Sequence, residues 1–256
     1  MWRALQSYFF HTPPPPPPPH PAPHTLVGKL KVYHGDGVTA EDLRSFKPLE
    51  QWQMQLESDV LVHGVHVLEA LRGAGDALLF LIVKVVAEDA VGRPVESYAV
   101  LRGASVAVLV WDLDEQARTP IFLCVRQLRP AAAKYTVEIP AGMLSDQDTL
   151  VGSAARELKE ECNVEVRRAD LVRLGKAYTS QGILDEQIEY YALRYRDMRE
   201  HVEAHGHKEF GLDEEGERTR VVVRTLDELA DEGDGKAMVA VALASKGNLF
   251  GDVHSG

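Results

Sequence analysis

The sequence predicts an α/β or α+β sandwich, with strands in the core layer and helices outside it. Three observations carry this. From residue 102 onward, short β-rich segments alternate with turn signals. Among them runs a strongly periodic helical segment, so strands and helices share one packed unit. The composition is that of a globular chain long enough to bury one or two cores, with 45% hydrophobic and 26% charged residues over 256 positions.

The elements follow in order. Residues 1–24 hold "HTPPPPPPPHPAPH" and are expected to be a disordered, proline-rich tail, because such a run favours polyproline II and builds no core. A spacer is the simplest role for it, and a ligand for a proline-binding domain is the alternative. Residues 25–100 are expected to form a smaller amino-terminal α+β region. In it "TAEDLRSFKPLEQWQMQLES" reads as helix, with Thr39 as cap and acids in its first turn. "ALLFLIVKVVAED" and "PVESYAVL" read as strands parted by the "VGRP" turn. In residues 101–250, "ASVAVLVWDLD", "PIFLCVRQLRP", "YTVEIPAGML", "LVRLGKAYTS", "QIEYYALRYR" and "RTRVVVRTL" read as strands. Helices are expected at 149–162 and 236–245, and an acidic loop, "HKEFGLDEEGE", precedes the last strand.

Charge and cysteine content narrow the function. The net charge of −11 repels nucleic acid and anionic membranes, so an anionic ligand must meet local cations. Cys124 and Cys162 lie in apolar or periodic segments, which fits a reducing compartment better than a disulfide framework. "LLFLIVKVV" is too short for a membrane span and carries Lys84. The ten histidines, His201, His205 and His207 included, match no zinc spacing.

The helix at 149–162 poses the sharpest question. Val151, Ala154, Ala155, Leu158 and Cys162 fall on one stripe at a period of 3.6, and Glu157, Glu160 and Glu161 fall beside it. Glu157 and Glu161 are four apart, so their side chains converge, and like charges at that spacing destabilise a helix by about 0.2–0.5 kcal/mol. Arg156 can neutralise Glu160, again four apart. The remaining charge suits either a solvated acidic face or a divalent cation such as Mg²⁺.

The residues upstream bear on that choice. Gly142, five residues, Asp148, seven residues, then Arg156-Glu157-Leu158-x-Glu160-Glu161-x-Asn163-Val164 closely resembles the Nudix box. Asp148 stands where the family has Glu, and Asn163 where it has Gly; Asn tolerates a left-handed helix end nearly as well. "VRQLRPAAAKYTVEIPAGML" and "TSQGILDEQIEYY" are similar to the ADP-ribose and ADP-sugar diphosphatase branch, although Gln181 replaces a proline of that branch. The start of the chain is most similar to eukaryotic, plant-type enzymes of that branch.

The resemblance implies a Nudix α/β/α sandwich with a mixed central sheet, behind the amino-terminal region. It implies metal-dependent hydrolysis of a nucleoside diphosphate sugar, ADP-ribose or ADP-glucose, to AMP and a sugar phosphate, with Mg²⁺ or Mn²⁺. Metal ligands carry over onto Ala141 (by its carbonyl), Glu157, Glu160, Glu161 and Glu217. Arg156 orients the glutamates. The base carries over onto Glu215, or onto Glu214 if the loop is displaced by one residue, with Glu160 also in the catalytic set. Arg102, Arg129 and Glu186 carry over as substrate residues. The resemblance implies a homodimer through residues 25–100, a small-molecule partner rather than nucleic acid or membrane, and a cytoplasmic setting with plastid or mitochondrion as alternatives. Arg126 and Lys134 are expected to be surface charges, and Tyr178 and Trp111 packing residues. Two other readings stay open: a Nudix activity on another nucleotide sugar such as GDP-mannose, and a Nudix-fold binding module without turnover.

Overall fold

The computed structural model describes residues 24–35, 37–114, 116–144, 149–212 and 218–251. The expected tail, apart from His24, lies outside them, as do Asp148 and the acids Glu214, Glu215 and Glu217.

Two sheets organise these residues. The first has strand order β1-β2-β3-β4-β5, formed by β1 (His24–Val27), β2 (Leu30–Tyr33), β3 (Leu61–Arg72), β4 (Leu78–Glu88) and β5 (Pro94–Leu101). Two short helices, α1 (Ala40–Ser45) and α2 (Lys47–Met54), pack on it. Leu43, Phe46 and Leu49 bury themselves there against Val32, Val65, Leu81, Val83 and Leu101. The sequence read α1 and α2 as one helix. Phe46 breaks it with an extended backbone (ψ 94°), and Pro48 sits in the first turn of α2, where a missing N–H costs nothing.

The second sheet has seven strands, with the path β10-β11-β6-β7-β12 and two short additions. Its members are β6 (Ser105–Leu113), β7 (Pro120–Arg129), β8 (Lys134–Glu138), β9 (Ala141–Met143), β10 (Val172–Tyr178), β11 (Gln187–Arg194) and β12 (Thr219–Thr225). The β6–β11 pair is parallel and the others are antiparallel, so the sheet is mixed. "YTVEIPAGML" is not one strand: Ile139 and Pro140 divide β8, which pairs with β7, from β9, which pairs with β6.

Helices cover both faces of this sheet. On one side lies α3 (Leu150–Cys162), whose Ala154, Leu158 and Cys162 meet Val106, Val108, Val125 and Val221. Beside it is α4 (Met198–His205), with Met198 in the same core. On the other side lie α5 (Leu226–Glu232) and α6 (Gly235–Lys246), which bury Leu229, Ala237, Ala240 and Ala244 against Leu109, Phe122 and Tyr190. Trp111 packs there edge-on to Phe250, with ring centroids 5.1 Å apart, as expected of a core aromatic. Both cysteines are buried free thiols. Among the described residues no helix is long and apolar enough to cross a membrane.

The sheets meet along the end of β5. The Asp185 carboxylate accepts the N–H groups of Arg102 (2.8 Å) and Gly103 (3.2 Å), and Val100 bridges to Leu184.

Candidate active site

The site is built around α3 and the turn before it. The Thr149 hydroxyl caps the helix by accepting the Gly152 N–H. At the other end Asn163 adopts the left-handed conformation (φ 55°), and the N–H groups of Asn163 and Val164 bond back to Lys159 and Leu158. Asparagine therefore fulfils the role that glycine has at this place in the family pattern.

Between the caps, two glutamates turn inward. Glu157 and Glu161 are 5% and 1% exposed, against an ordinary carboxylate preference for water. Both lie against the strand β9. The Glu161 carboxylate accepts the Ala141 N–H at 3.0 Å. The Glu157 carboxylate rests so close to Gly142 that a Cβ there would stand 2.1 Å from it. Gly142 has no left-handed φ, so glycine is required here for space and not for backbone freedom.

Arg156 links the acids. Its guanidinium donates to Glu157 (2.7 Å), to Glu160 (2.5 Å) and to the Met143 carbonyl (3.3 Å). Glu160 is thus turned toward Arg156 and is more exposed than its two neighbours, its side chain being 25% accessible. Among the described residues no group of three or more His, Cys, Asp or Glu is arranged to hold a metal ion. Glu157 and Glu161 beside the Ala141 backbone make a smaller oxygen set. It suits a hard cation that completes its shell with water or substrate phosphate.

The last three carbonyls of α3 are taken by residues from the later part of the chain. Gly211 N–H donates to Glu160 O and the Thr219 hydroxyl to Glu161 O, both at 2.9 Å. His201 Nε2–H donates to Cys162 O at 2.8 Å. Phe210 and Thr219 also pair across a β-bridge. The residues that flank the acidic loop are therefore fixed to the helix turn that carries Glu160 and Glu161. Nothing in the residue pattern pointed to these anchors. His201 and His205 stack on each other at 4.6 Å, with His201 engaged as a helix cap.

The three expected substrate residues form two groups. Arg129 donates through Nε and one amino group to both oxygens of Glu138, at 2.9 Å each. Glu138 also accepts the Thr136 hydroxyl (2.6 Å) and Lys236 Nζ (2.7 Å). Burial opposes its charge, but Arg129, Lys236 and Thr136 outweigh that and hold its pKa down to about 2. Burial likewise works against the Lys236 ammonium, and Asp234 and Glu138 overcome it. Lys236 and Glu138 were missed from sequence, because they lie 98 residues apart in the chain.

Arg102 and Glu186 make the second group, 3.6 Å apart, with Glu186 also accepting the Thr179 hydroxyl at 3.1 Å. Next to Glu186 opens a cleft of about 370 Å³, lined by Trp52, Gln55, Leu56, Tyr178, Gln181, Leu184 and Asp185. Tyr178 is not a packing residue: it is 40% exposed and donates to Gln55 Oε1 at 3.0 Å. Arg126 is a surface cation, stacked 4.0 Å above the exposed Tyr135 ring.

Comparison with known proteins bears on the family and the fold. The NUDIX domain profile matches residues 101–240. The chain is 28% identical over 241 residues to Nudix hydrolase 14, chloroplastic, of Arabidopsis thaliana, covering 86% of this chain and 77% of that protein. A 43-residue stretch, 17% of this chain, is 42% identical to an uncharacterised Nudix hydrolase of Schizosaccharomyces pombe, of which it covers 21%. A crystal structure described as an ADP compounds hydrolase superposes with a TM-score of 0.54 at 16% identity, over 78% of this chain and all but 1% of that one, a likeness of fold. Since the profile covers more than half of its length, the chain belongs to the Nudix hydrolase family and carries the Nudix α/β/α sandwich.

Proposed function

We propose that the protein hydrolyses the diphosphate bond of a nucleoside diphosphate sugar, ADP-ribose or ADP-glucose, releasing AMP and a sugar phosphate. The observation that carries this is the pair of buried carboxylates, Glu157 and Glu161, set against the Ala141–Gly142 backbone. Two like charges buried side by side raise the local negative potential beyond what Arg156 offsets at Glu157, and a divalent ion with a phosphate ligand relieves it. The substrate class is suggested by the structural neighbour, described as a hydrolase of ADP compounds, while the plant relative's name supports the family.

In this reading Glu157, Glu161 and the Ala141 carbonyl hold Mg²⁺ or Mn²⁺, with Glu160 and Glu217 contributing. When bound, the ion neutralises phosphate oxygens and lowers the pKa of water. Arg156 keeps Glu157 and Glu160 in place through its two ion pairs. Glu215 takes the proton of the attacking water, with Glu214 the alternative; both lie outside the described residues. Arg129, braced by Glu138, offers its guanidinium to the diphosphate, and Arg102 with Glu186 orients the nucleoside side. The cleft between Trp52 and Tyr178 offers an aromatic seat for the base.

The five-stranded sheet exposes Leu61, Leu68, Leu79, Val95 and Tyr98, which supports residues 25–100 as the surface of a homodimer. The setting is the cytoplasm, with a plastid or mitochondrion as the alternatives. A panel of ADP-ribose, ADP-glucose and GDP-mannose with Mg²⁺ and Mn²⁺, read by nucleoside monophosphate release, tests the proposal. Turnover of the ADP-sugars is expected. Release of GMP alone would move the activity to another base.

A further inference from the structure

The α3-facing side of β7 carries one polar group that the mechanism above does not use. Gln127 is only 4% exposed. Its amide makes no hydrogen bond with any described residue, although its neighbours are all engaged.

The register fixes where it sits. On β7, Val125 is opposite Val221 of β12 and Glu138 of β8, and Gln127 is opposite Thr219 and Thr136. Directly opposed residues of an antiparallel pair share a face. Val125 and Val221 pack against α3, so Gln127, Thr136, Glu138 and Thr219 point to that side as well. Arg129, two further on, continues the row. On one flank of Gln127 the Thr219 hydroxyl donates to Glu161 O, and on the other the Thr136 hydroxyl donates to the carboxylate that braces Arg129. Gln127 therefore sits in the row between the Thr219 that holds the end of α3 and the Glu138 that braces Arg129.

The stem of Gln127 is buried while its amide bonds to nothing described and reaches solvent, so its donors are open to a ligand, and a packing role would be served better by Met or Leu. Its two N–H donors suit an anion that accepts only. We propose that Gln127 is a further substrate-binding residue, whose Nε2–H donates to a diphosphate oxygen lying between Arg129 and Glu161. This rests on the reading of the site as one for nucleoside diphosphate sugars.

Two variants test it: Gln127→Met, of equal length and without hydrogen-bonding groups, and Gln127→Glu, of equal shape with a negative charge. ADP-ribose binding is measured by calorimetry in EDTA, where no turnover occurs, alongside KM and kcat with Mg²⁺. The expected result is a Kd about tenfold higher for Gln127→Met, and higher still for Gln127→Glu. The melting temperature of Gln127→Met should equal or exceed that of the wild type, since no internal bond is lost. Unchanged affinity in both variants, with wild-type binding intact, overturns the assignment alone. A Gln127→Met protein that melts several degrees lower with unchanged Kd makes the amide part of the fold and also overturns it. Wild-type protein that binds no ADP-ribose overturns the functional reading and this assignment together.

Discussion

Replacing Gly142 by alanine separates the position of a carboxylate from the stability of the fold. The added Cβ would stand 2.1 Å from the carboxyl carbon and one oxygen of Glu157. Ordinary van der Waals contact begins near 3.4 Å, so the carboxylate must retreat by about 1.3 Å. The backbone at 142 accepts alanine without φ strain. The obstacle is the end of a side chain, so the chain still folds, at the overpacking cost of roughly 1–3 kcal/mol. For a protein of this size that lowers Tm by about 2–10 °C. The catalytic effect is larger. A displacement near 1 Å at a catalytic group costs about 10²-fold in rate. Gly142→Ala is therefore expected to keep its circular dichroism spectrum and lose about 10²-fold in kcat on ADP-ribose, with a higher Mg²⁺ requirement. The assay is AMP release across a Mg²⁺ titration at 25 °C. A kcat within threefold of wild type at ordinary Mg²⁺ would refute the placement of Glu157 in the site.

Three further outcomes follow from the same geometry. Glu161→Gln removes charge without volume and is expected to cost 10²-fold or more in turnover while Tm holds, a loss typical of a positioned electrostatic group; near-normal rates would contradict it. Asn163→Ala forces alanine into the left-handed cap (φ 55°) and is expected to cost about 1 kcal/mol, whereas Asn163→Gly should be at least as stable as wild type, both read by thermal melts. Glu138 has its folded pKa depressed from 4.5 to about 2, so its stabilisation is present above pH 4.5 and is lost as pH falls toward 2. That difference is on the order of 3 kcal/mol. Denaturant melts of wild type and Glu138→Gln should converge across this window, and a constant gap down to pH 2 would show that the carboxylate is not held by Arg129 and Lys236.

The box helix was legible because three signals coincide over 13 residues: a threonine cap, an apolar stripe and acids four apart. The periodicity set Glu157 and Glu161 beside the apolar stripe and left a solvated acidic face open; their burial against β9 is visible only in the folded chain. The strand β3 was not read, and its irregular pairing explains why. Register shifts at Val62–Gly64, Val67–Glu69 and Leu71–Arg72 break the two-residue alternation on which strand recognition depends. The strands β1 and β2, four residues each, are too short to show a period. The helix α5 carried a usable sign, since Thr225 and Glu228 form a capping box visible in the sequence. Long-range side-chain networks left no such trace. The Arg129–Glu138–Lys236 cluster and the anchors from Gly211, Thr219 and His201 to the end of α3 arise only when distant segments pack.

In the proposed mechanism Glu157 and Glu161 hold the divalent cation that hydrolysis requires. Mn²⁺ binding to the substrate-free protein, followed by electron paramagnetic resonance, tests it most directly when paired with AMP release from ADP-ribose. Wild-type protein is expected to bind Mn²⁺ and to lose turnover in EDTA. The Glu157→Gln, Glu161→Gln double variant is expected to fold and to lose both binding and turnover. A folded double variant that binds Mn²⁺ as tightly as wild type and still releases AMP would place the cation elsewhere.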